Sequence, residues 1–174
     1  MRTTHAIAAT AAILLAAGCS SGGTPTVGSN GPGSTSTAAR PAPSTVTATT
    51  ALQKLTTTVP SAKLTVTVTA ENDGNHLLGR PGQYTSMVKF ADTRIPAADV
   101  SFYKKGDVEL GGAIEVFPTA DDAATRAQYI QTVTKKIPAL AEYDYPHGTV
   151  LVRLSRFLTP TQAAAYDKAG AQFG

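Results

Sequence analysis

The sequence predicts an α+β fold, with a mainly antiparallel sheet of about five strands, helices packed on one face, and a disordered tether before it. Residues 64–70 alternate strictly between apolar side chains and threonine, which is the period of a strand. Thr119 and Thr159 each open a segment with the capping residues and apolar spacing of a helix. Strands that precede these helices and then alternate with them are typical of α+β domains.

The first two predicted elements are a short helix and a strand. Thr50 and Gln53 fit a capping box that opens the helix, and Pro60 ends it. The strand has two different faces, with Leu64, Val66, Val68 and Ala70 on one and Thr65, Thr67 and Thr69 on the other. A row of threonines suits solvent or a ligand better than a second core, so we expect the second face of the sheet to be open.

Three further strands are predicted in the middle of the chain, at 85–91, 98–103 and 108–117, from short apolar runs between turn residues. In the second of these, Val100 and Phe102 are expected to point inward. The Gly111-Gly112 pair in the third indicates a bulge or a close approach of two backbones.

The last predicted elements are two helices with a strand between them. Thr119 caps the first helix, which has acidic residues in its first turn and ends at Pro138. The strand follows at 149–154. Thr159 then caps a C-terminal helix that runs to about Lys168, with proline at the first helical position.

Cys19 is the single cysteine of the chain and indicates how the protein is anchored. It follows an apolar run that is too short to span a bilayer, and Arg2 supplies the positive charge of a signal peptide. The pattern resembles a bacterial lipobox, although Ala16 stands where that motif usually has leucine. We therefore predict a signal peptide at 1–18 and lipidation of Cys19 with palmitate, which places the protein at the extracytoplasmic face of the cell membrane.

Composition divides the rest of the chain into two parts. Residues 19–50 are rich in Ser, Thr, Pro and Gly and have too little apolar surface to fold, so a disordered tether is predicted there. Residues 51–174 have the size of a single domain. Their 13 Lys and Arg against 12 Asp and Glu leave a net charge of +1, and no basic run exceeds two residues. No nucleic-acid partner is therefore predicted.

Three stretches of the predicted domain resemble a group of small membrane-anchored lipoproteins of actinobacteria and their phages. They are residues 71–84, residues 115–119 and residues 147–162. The resemblance extends over essentially the whole predicted domain. It implies a surface lipoprotein of uncharacterised function, and the motifs that carry it are not catalytic ones.

The sequence contains none of the common catalytic motifs. It has no Gly-x-Ser-x-Gly elbow, no His-Glu-x-x-His, no Walker loop and no dinucleotide-binding glycine pattern between a strand and a helix. We therefore predict no enzyme activity, no catalytic residue, no metal ligand and no cofactor.

The best candidate for a binding site is the polar loop at 71–84, because connections of 14 residues are longer than most and tend to be functional. Its candidate binding residues are Glu71, Asp73, His76, Arg80 and Tyr84. Asn, Asp and Gly at 72–75 are also ordinary turn residues, and their spacing does not match a calcium-binding loop. Both a binding loop and a plain turn therefore remain open.

A second candidate site is the group Tyr143, Tyr145 and His147. Aromatic clusters favour interfaces, but the tyrosines could instead pack on the edge of the sheet. Arg153 and Arg156 form a third candidate. Paired with acids they would be structural, whereas unpaired they could bind a carboxylate or a phosphate.

These features favour a lipid-anchored binding or interaction module of the bacterial cell envelope. Its partners would be the membrane, through Cys19, and another envelope protein or a wall or phage component. The alternative is an envelope hydrolase or metal-dependent enzyme that uses His76, His147 and nearby acids. That alternative requires the two histidines to lie close together.

Overall fold

The computed structural model of the protein describes residues 46–174. The predicted signal peptide, Cys19 and most of the predicted tether lie outside these residues. Regular structure begins earlier than residue 51, because Thr47 caps α1 (Ala48–Thr58) and forms a capping box with Thr50. Thr50 was expected to be the cap itself, but its backbone N–H donates to Thr47 Oγ1 and its hydroxyl accepts the Thr47 N–H.

A five-stranded antiparallel sheet forms the centre of the domain. Its strands are β1 (Ala62–Thr67), β2 (Ser86–Asp92), β3 (Gly111–Val116), β4 (Glu142–His147) and β5 (Val150–Ser155). Their spatial order is β1-β2-β3-β5-β4, so a three-stranded meander is followed by a hairpin whose second strand pairs with β3. The predicted α+β class and antiparallel sheet are confirmed.

Helices cover both faces of the sheet. On one face, α1 and α3 (Pro160–Gly170) pack with Phe90 and Ile114, and on the other face α2 (Ala120–Thr134) packs with Met87 and Leu151. The expectation that all helices share one face was wrong. Every residue of β3 is buried, so the central strands need cover on both sides, whereas the alternation that suggested an open face came from an edge strand.

A bulge in β1 removes the predicted threonine face. Leu64 pairs with Phe90 and Val66 with the next residue, Lys89, so Thr65 is an extra residue in the strand. A bulge exchanges the two faces of the residues that follow it. Leu64 therefore lies on the face of Phe90, where it is 49% exposed, while Val66 packs with the core beneath α2.

Two other segments differ from the sequence-based expectations. Residues 98–103 form turns instead of a strand, and Phe102 is 95% exposed instead of inward. Hydrogen bonds from Asp99 N–H to Pro96 O and from Tyr103 N–H to Val100 O close these turns. β4 was not predicted as a strand. It contains Pro146, which is tolerated because β4 is an edge strand.

The strands give the domain two ends. The loop end carries the 68–85 connection, the β3–α2 turn, the β4–β5 turn and the C-terminus. The far end carries the α1–β1 turn, the 93–110 connection, the 135–141 connection and the β5–α3 turn. α1 begins at the loop end, where the Ala48 N–H donates to Ser86 Oγ at 2.9 Å.

Gly112 allows β3 to approach β5 beneath an aromatic ring. A Cβ at this position would meet the Arg153 carbonyl oxygen, and it would lie 2.6 Å from Cζ of Phe90. The glycine pair thus marks a close approach, as predicted, and the register with β2 continues through it without a bulge.

We expect Gly112→Ala to lower the free energy of unfolding by about 1–3 kcal/mol, which is the usual cost of overpacking a core. Urea denaturation of the purified protein measures this change. Gly74→Ala is the matched control, because a Cβ there meets nothing within 4 Å. Equal stability of the two variants would contradict the close approach.

Candidate functional site

A buried carboxylate orders the predicted binding loop. Asp73 is 4% exposed and accepts the backbone N–H groups of Leu77 and Leu78 at 2.8 Å each and the Tyr84 hydroxyl at 2.7 Å. Burial opposes ionisation of Asp73, but the hydrogen bonds from Leu78, Tyr84, Leu77 and Asn75 outweigh it and lower the pKa to about 2. Asp73 and Tyr84 therefore fix the shape of the loop from inside.

The remaining candidates of this loop, Glu71, His76 and Arg80, are exposed. His76 adopts a left-handed backbone conformation with φ 54°, which belongs to the turn that follows Asp73. A hydrogen bond with the Thr69 side chain lowers the pKa of Glu71. The loop thus combines a rigid interior, which fits the turn interpretation for Asp73 and Tyr84, with a polar surface formed by the exposed residues.

The loop and α2 form the two walls of a groove at the loop end. The groove has a volume of about 310 Å³. Leu77 and Gln83 line it from the loop, and Asp122, Thr125, Arg126 and Tyr129 line it from the helix. It continues along α2 into a cavity of about 500 Å³ that also contacts Leu77, Arg126 and Tyr129. Sequence reasoning found the loop but not the helix that completes the groove.

A buried charge cluster lies beneath α2. Glu115 of β3 is fully buried, and it accepts Arg153 Nη1 at 2.8 Å and Arg126 Nε at 3.2 Å. Arg153 also donates through Nη2 to Glu142 Oε1 at 3.0 Å. Of the two roles considered for Arg153, the structural one applies. A glutamate inside an otherwise apolar strand was the sequence signal that could have revealed this cluster.

Asp144 is the acid of this cluster that lacks a partner. It is 6% exposed, and within the described part of the chain neither of its carboxylate oxygens has a hydrogen-bond partner. The cluster has two guanidinium groups, those of Arg126 and Arg153, for three carboxylates. One negative charge among the carboxylates therefore has no counterion in the described residues. Burial raises the pKa of Asp144 to about 7, and the charge of Glu142 adds to this effect while Arg153 opposes it.

The second candidate group lies on β4 and packs against the side of the sheet that α1 and α3 cover. The rings of Tyr143 and Tyr145 stack with their centroids 6.3 Å apart, and the Tyr143 hydroxyl donates to Leu158 O at 3.2 Å. His147 Nε2 lies 3.1 Å from Asp167 Oδ1 of α3. These contacts fit the packing interpretation of the tyrosines. Arg156 is exposed, with its guanidinium 4.2 Å from the centroid of the Phe157 ring.

The structure does not bring His76 and His147 together. His147 contacts Asp167 and Gly170 of α3, on the face that α1 and α3 cover. His76 lies in the loop whose next residues, Leu77 and Leu78, pack in the core beneath α2 on the opposite face. In residues 46–174, no group of three or more His, Cys, Asp or Glu side chains is placed to hold a metal ion.

No helix within residues 46–174 combines the length and the apolarity needed to cross a bilayer. Comparison of the chain with known protein families, curated proteins and solved structures gives no match.

We expect Asp73→Ala to destabilise the protein by about 1–3 kcal/mol, because the Tyr84 hydroxyl and three backbone N–H groups would lose their shared acceptor. The exposed neighbours His76→Ala and Arg80→Ala should each change stability by less than about 0.5 kcal/mol. Chemical denaturation of the three variants measures these differences. If Asp73→Ala left the free energy of unfolding unchanged, the carboxylate would not order the loop.

We expect Asp144 to make stability depend on pH between about 4 and about 7. Its pKa is 3.8 when unfolded and about 7 when folded, so across this range only the folded state keeps the proton. Stability should therefore fall as pH rises to about 7 and then level off. Since each pKa unit corresponds to about 1.4 kcal/mol, the fall is on the order of 4 kcal/mol at most.

Asp144→Asn should reduce this fall and be more stable than the wild type at alkaline pH. The pKa values of Asp73 and Asp92 are lowered, so these two groups affect stability only below about pH 3.8. Burial also raises the pKa of Glu142, so the part of the fall that remains in Asp144→Asn belongs to that group. Thermal midpoints measured from pH 4 to pH 9 test the effect, with the exposed Asp99→Asn as control. The same profile for wild type and Asp144→Asn would rule out Asp144 as its source.

Proposed function

We propose that the protein is a lipid-anchored binding module at the extracytoplasmic face of the cell membrane. Cys19 is the lipidated residue, and the groove between the 71–84 loop and α2 is the surface that binds another protein of the envelope or a wall or phage component. The observation that carries this proposal is the exposed Tyr129 opposite Leu77 in a groove of about 310 Å³. The lipobox and the resemblance to small lipoproteins support the location.

The groove offers an apolar surface with hydrogen-bonding groups around it. Tyr129 is 62% exposed, and tyrosines of this kind often contribute much of the binding energy of an interface. Gln83 and Thr125 lie beside it and can donate or accept hydrogen bonds. A peptide segment with one apolar side chain between polar groups matches this chemistry.

The groove is held in shape before any partner binds. The Arg126 guanidinium lies 5.8 Å from the centroid of the Tyr129 ring, and Arg126 is itself bound to the buried Glu115. On the opposite wall, Asp73 fixes the loop that carries Leu77 through two backbone hydrogen bonds. A preformed surface loses little conformational freedom on binding, which favours a binding role. The hydrolase alternative has less support, because His147 contacts α3 on one face of the sheet while the loop that carries His76 packs on the other face.

The groove can be tested by photo-crosslinking in cells, with the crosslinking amino acid at Gln83. We expect a discrete partner adduct that Tyr129→Ala reduces at least tenfold, since loss of an aromatic anchor usually costs more than about 1.4 kcal/mol. Gln128→Ala is the matched control, because Gln128 is an exposed neighbour on α2 that does not line the groove. An adduct of equal yield in both variants would contradict partner binding at the groove.

The anchor is tested in the same cells by labelling with palmitate. The wild type should incorporate the label, whereas Cys19→Ala should remain an unlabelled precursor, because Cys19 is the only cysteine. A wild type without label would contradict lipidation at Cys19. It would not affect the interpretation of the crosslinking result at the groove.

A further inference from the structure

The far end of the domain carries a second surface, which the proposed function does not use. The 93–110 connection places the exposed Phe102 beside Lys104 and Lys105, and the 135–141 connection places Ile137 and Leu140 beside Lys135 and Lys136. We call these three apolar residues and two lysine pairs the far-end surface. Both connections lie at the same end of the sheet, since β2 ends there and β4 begins there.

The apolar side chains of this surface are exposed, Phe102 most of all. Phe102 is 95% exposed, and Ile137 and Leu140 are 45% and 47% exposed. Large apolar side chains that are exposed together mark an interaction surface. The same combination of apolar and lysine side chains occurs in two separate connections, which argues against a chance arrangement in either one.

Charge is distributed unevenly between the two ends. Within residues 46–174 the far end has seven basic residues, namely the two lysine pairs with Lys63, Arg94 and Arg156, against five acids, namely Asp92, Asp99, Asp107, Glu109 and Glu142. The loop end has Arg80, Lys168 and Lys54, whose ammonium lies 5.8 Å from the Phe173 ring centroid, against Glu71, Asp73, Asp121, Asp122 and Asp167. The far end is therefore positive and the loop end negative, although the domain as a whole is close to neutral.

We propose that the far-end surface docks on an anionic phospholipid bilayer. Apolar side chains flanked by lysines fit the boundary between acyl chains and negative headgroups, and the negative loop end would be repelled from it. The proposal rests on the lipid anchor at Cys19, which would keep the domain close to the membrane. Weak docking is then sufficient, because tethering raises the effective concentration of the surface.

The chain is long enough for this orientation. α1 begins at the loop end, and 26 residues separate its first described neighbour, Val46, from Cys19. Fully extended, they reach about 90 Å at most, whereas strands of six or seven residues make the sheet only about 20 Å long. With the far end on the bilayer, the groove at the loop end faces away from the membrane and is open to a partner.

The test is flotation of the chain from residue 19 onward, with Cys19→Ser, on vesicles of phosphatidylglycerol and phosphatidylcholine. This chain contains all the described residues and has no acyl group, so docking is measured independently of lipidation. We expect binding to the anionic vesicles, weakened by salt, and much less binding to pure phosphatidylcholine. Binding to neither vesicle, or equally to both, would overturn the proposal.

Variants show which surface is responsible. Phe102→Ser should lower the partition coefficient about tenfold, and replacement of Lys104 and Lys105 by Gln should lower it about fivefold per lysine. The controls at the loop end, Arg80→Gln with Lys168→Gln, should leave it unchanged. All these side chains are exposed, so unchanged thermal midpoints confirm folding.

Two outcomes would overturn the assignment of the surface. One is an equal loss of vesicle binding in the loop-end variants. The other is normal vesicle binding by the far-end variants together with a loss of the protein adduct formed at Gln83, which would make the far end a protein contact.

Discussion

The position of α2 depends on the carboxylate of Glu115. This group is fully buried in β3, and it binds one guanidinium from the helix, Arg126, and one from the neighbouring strand, Arg153. Removing one partner of such a cluster leaves a buried charge uncompensated, at a cost of about 3–5 kcal/mol. Because α2 forms one wall of the groove and leads into the 135–141 connection, the same ion pairs position that wall and the start of this connection.

The features that the sequence predicted well have local causes. Thr119 and Thr159 cap their helices by accepting a backbone N–H only three residues ahead, so the chemistry of the cap is visible in a short window. The features that it missed depend on distant partners. The bulge at Thr65 exists only in the register with β2, and β4 is a strand because it pairs with β5 at the edge of the sheet.

The candidate site shows the same division. The length and polarity of the 71–84 loop identified it as a candidate site. A polar residue in such a loop is expected to be exposed, whereas Asp73 is buried, and its hydrogen-bond partners cannot be identified from the sequence. The groove needed Arg126 and Tyr129 from a helix that begins 36 residues after the loop ends. Arg126 is held in place by its contact with Glu115, which lies 11 residues away from it in sequence.

One helix therefore connects the groove to the far end. The buried residues Ala123, Ala127 and Ile130 fix α2 on the sheet, its exposed Tyr129 belongs to the groove, and its C-terminal end leads to Lys135 and Lys136. Asp144, one of the acids beneath this helix, carries the uncompensated charge and titrates near neutrality. The charge beneath α2 thus changes with pH in the range where the other buried acids with lowered pKa values stay ionised. A change in this charge acts on the element that carries both Tyr129 of the groove and, at its C-terminal end, the chain leading to Lys135 and Lys136.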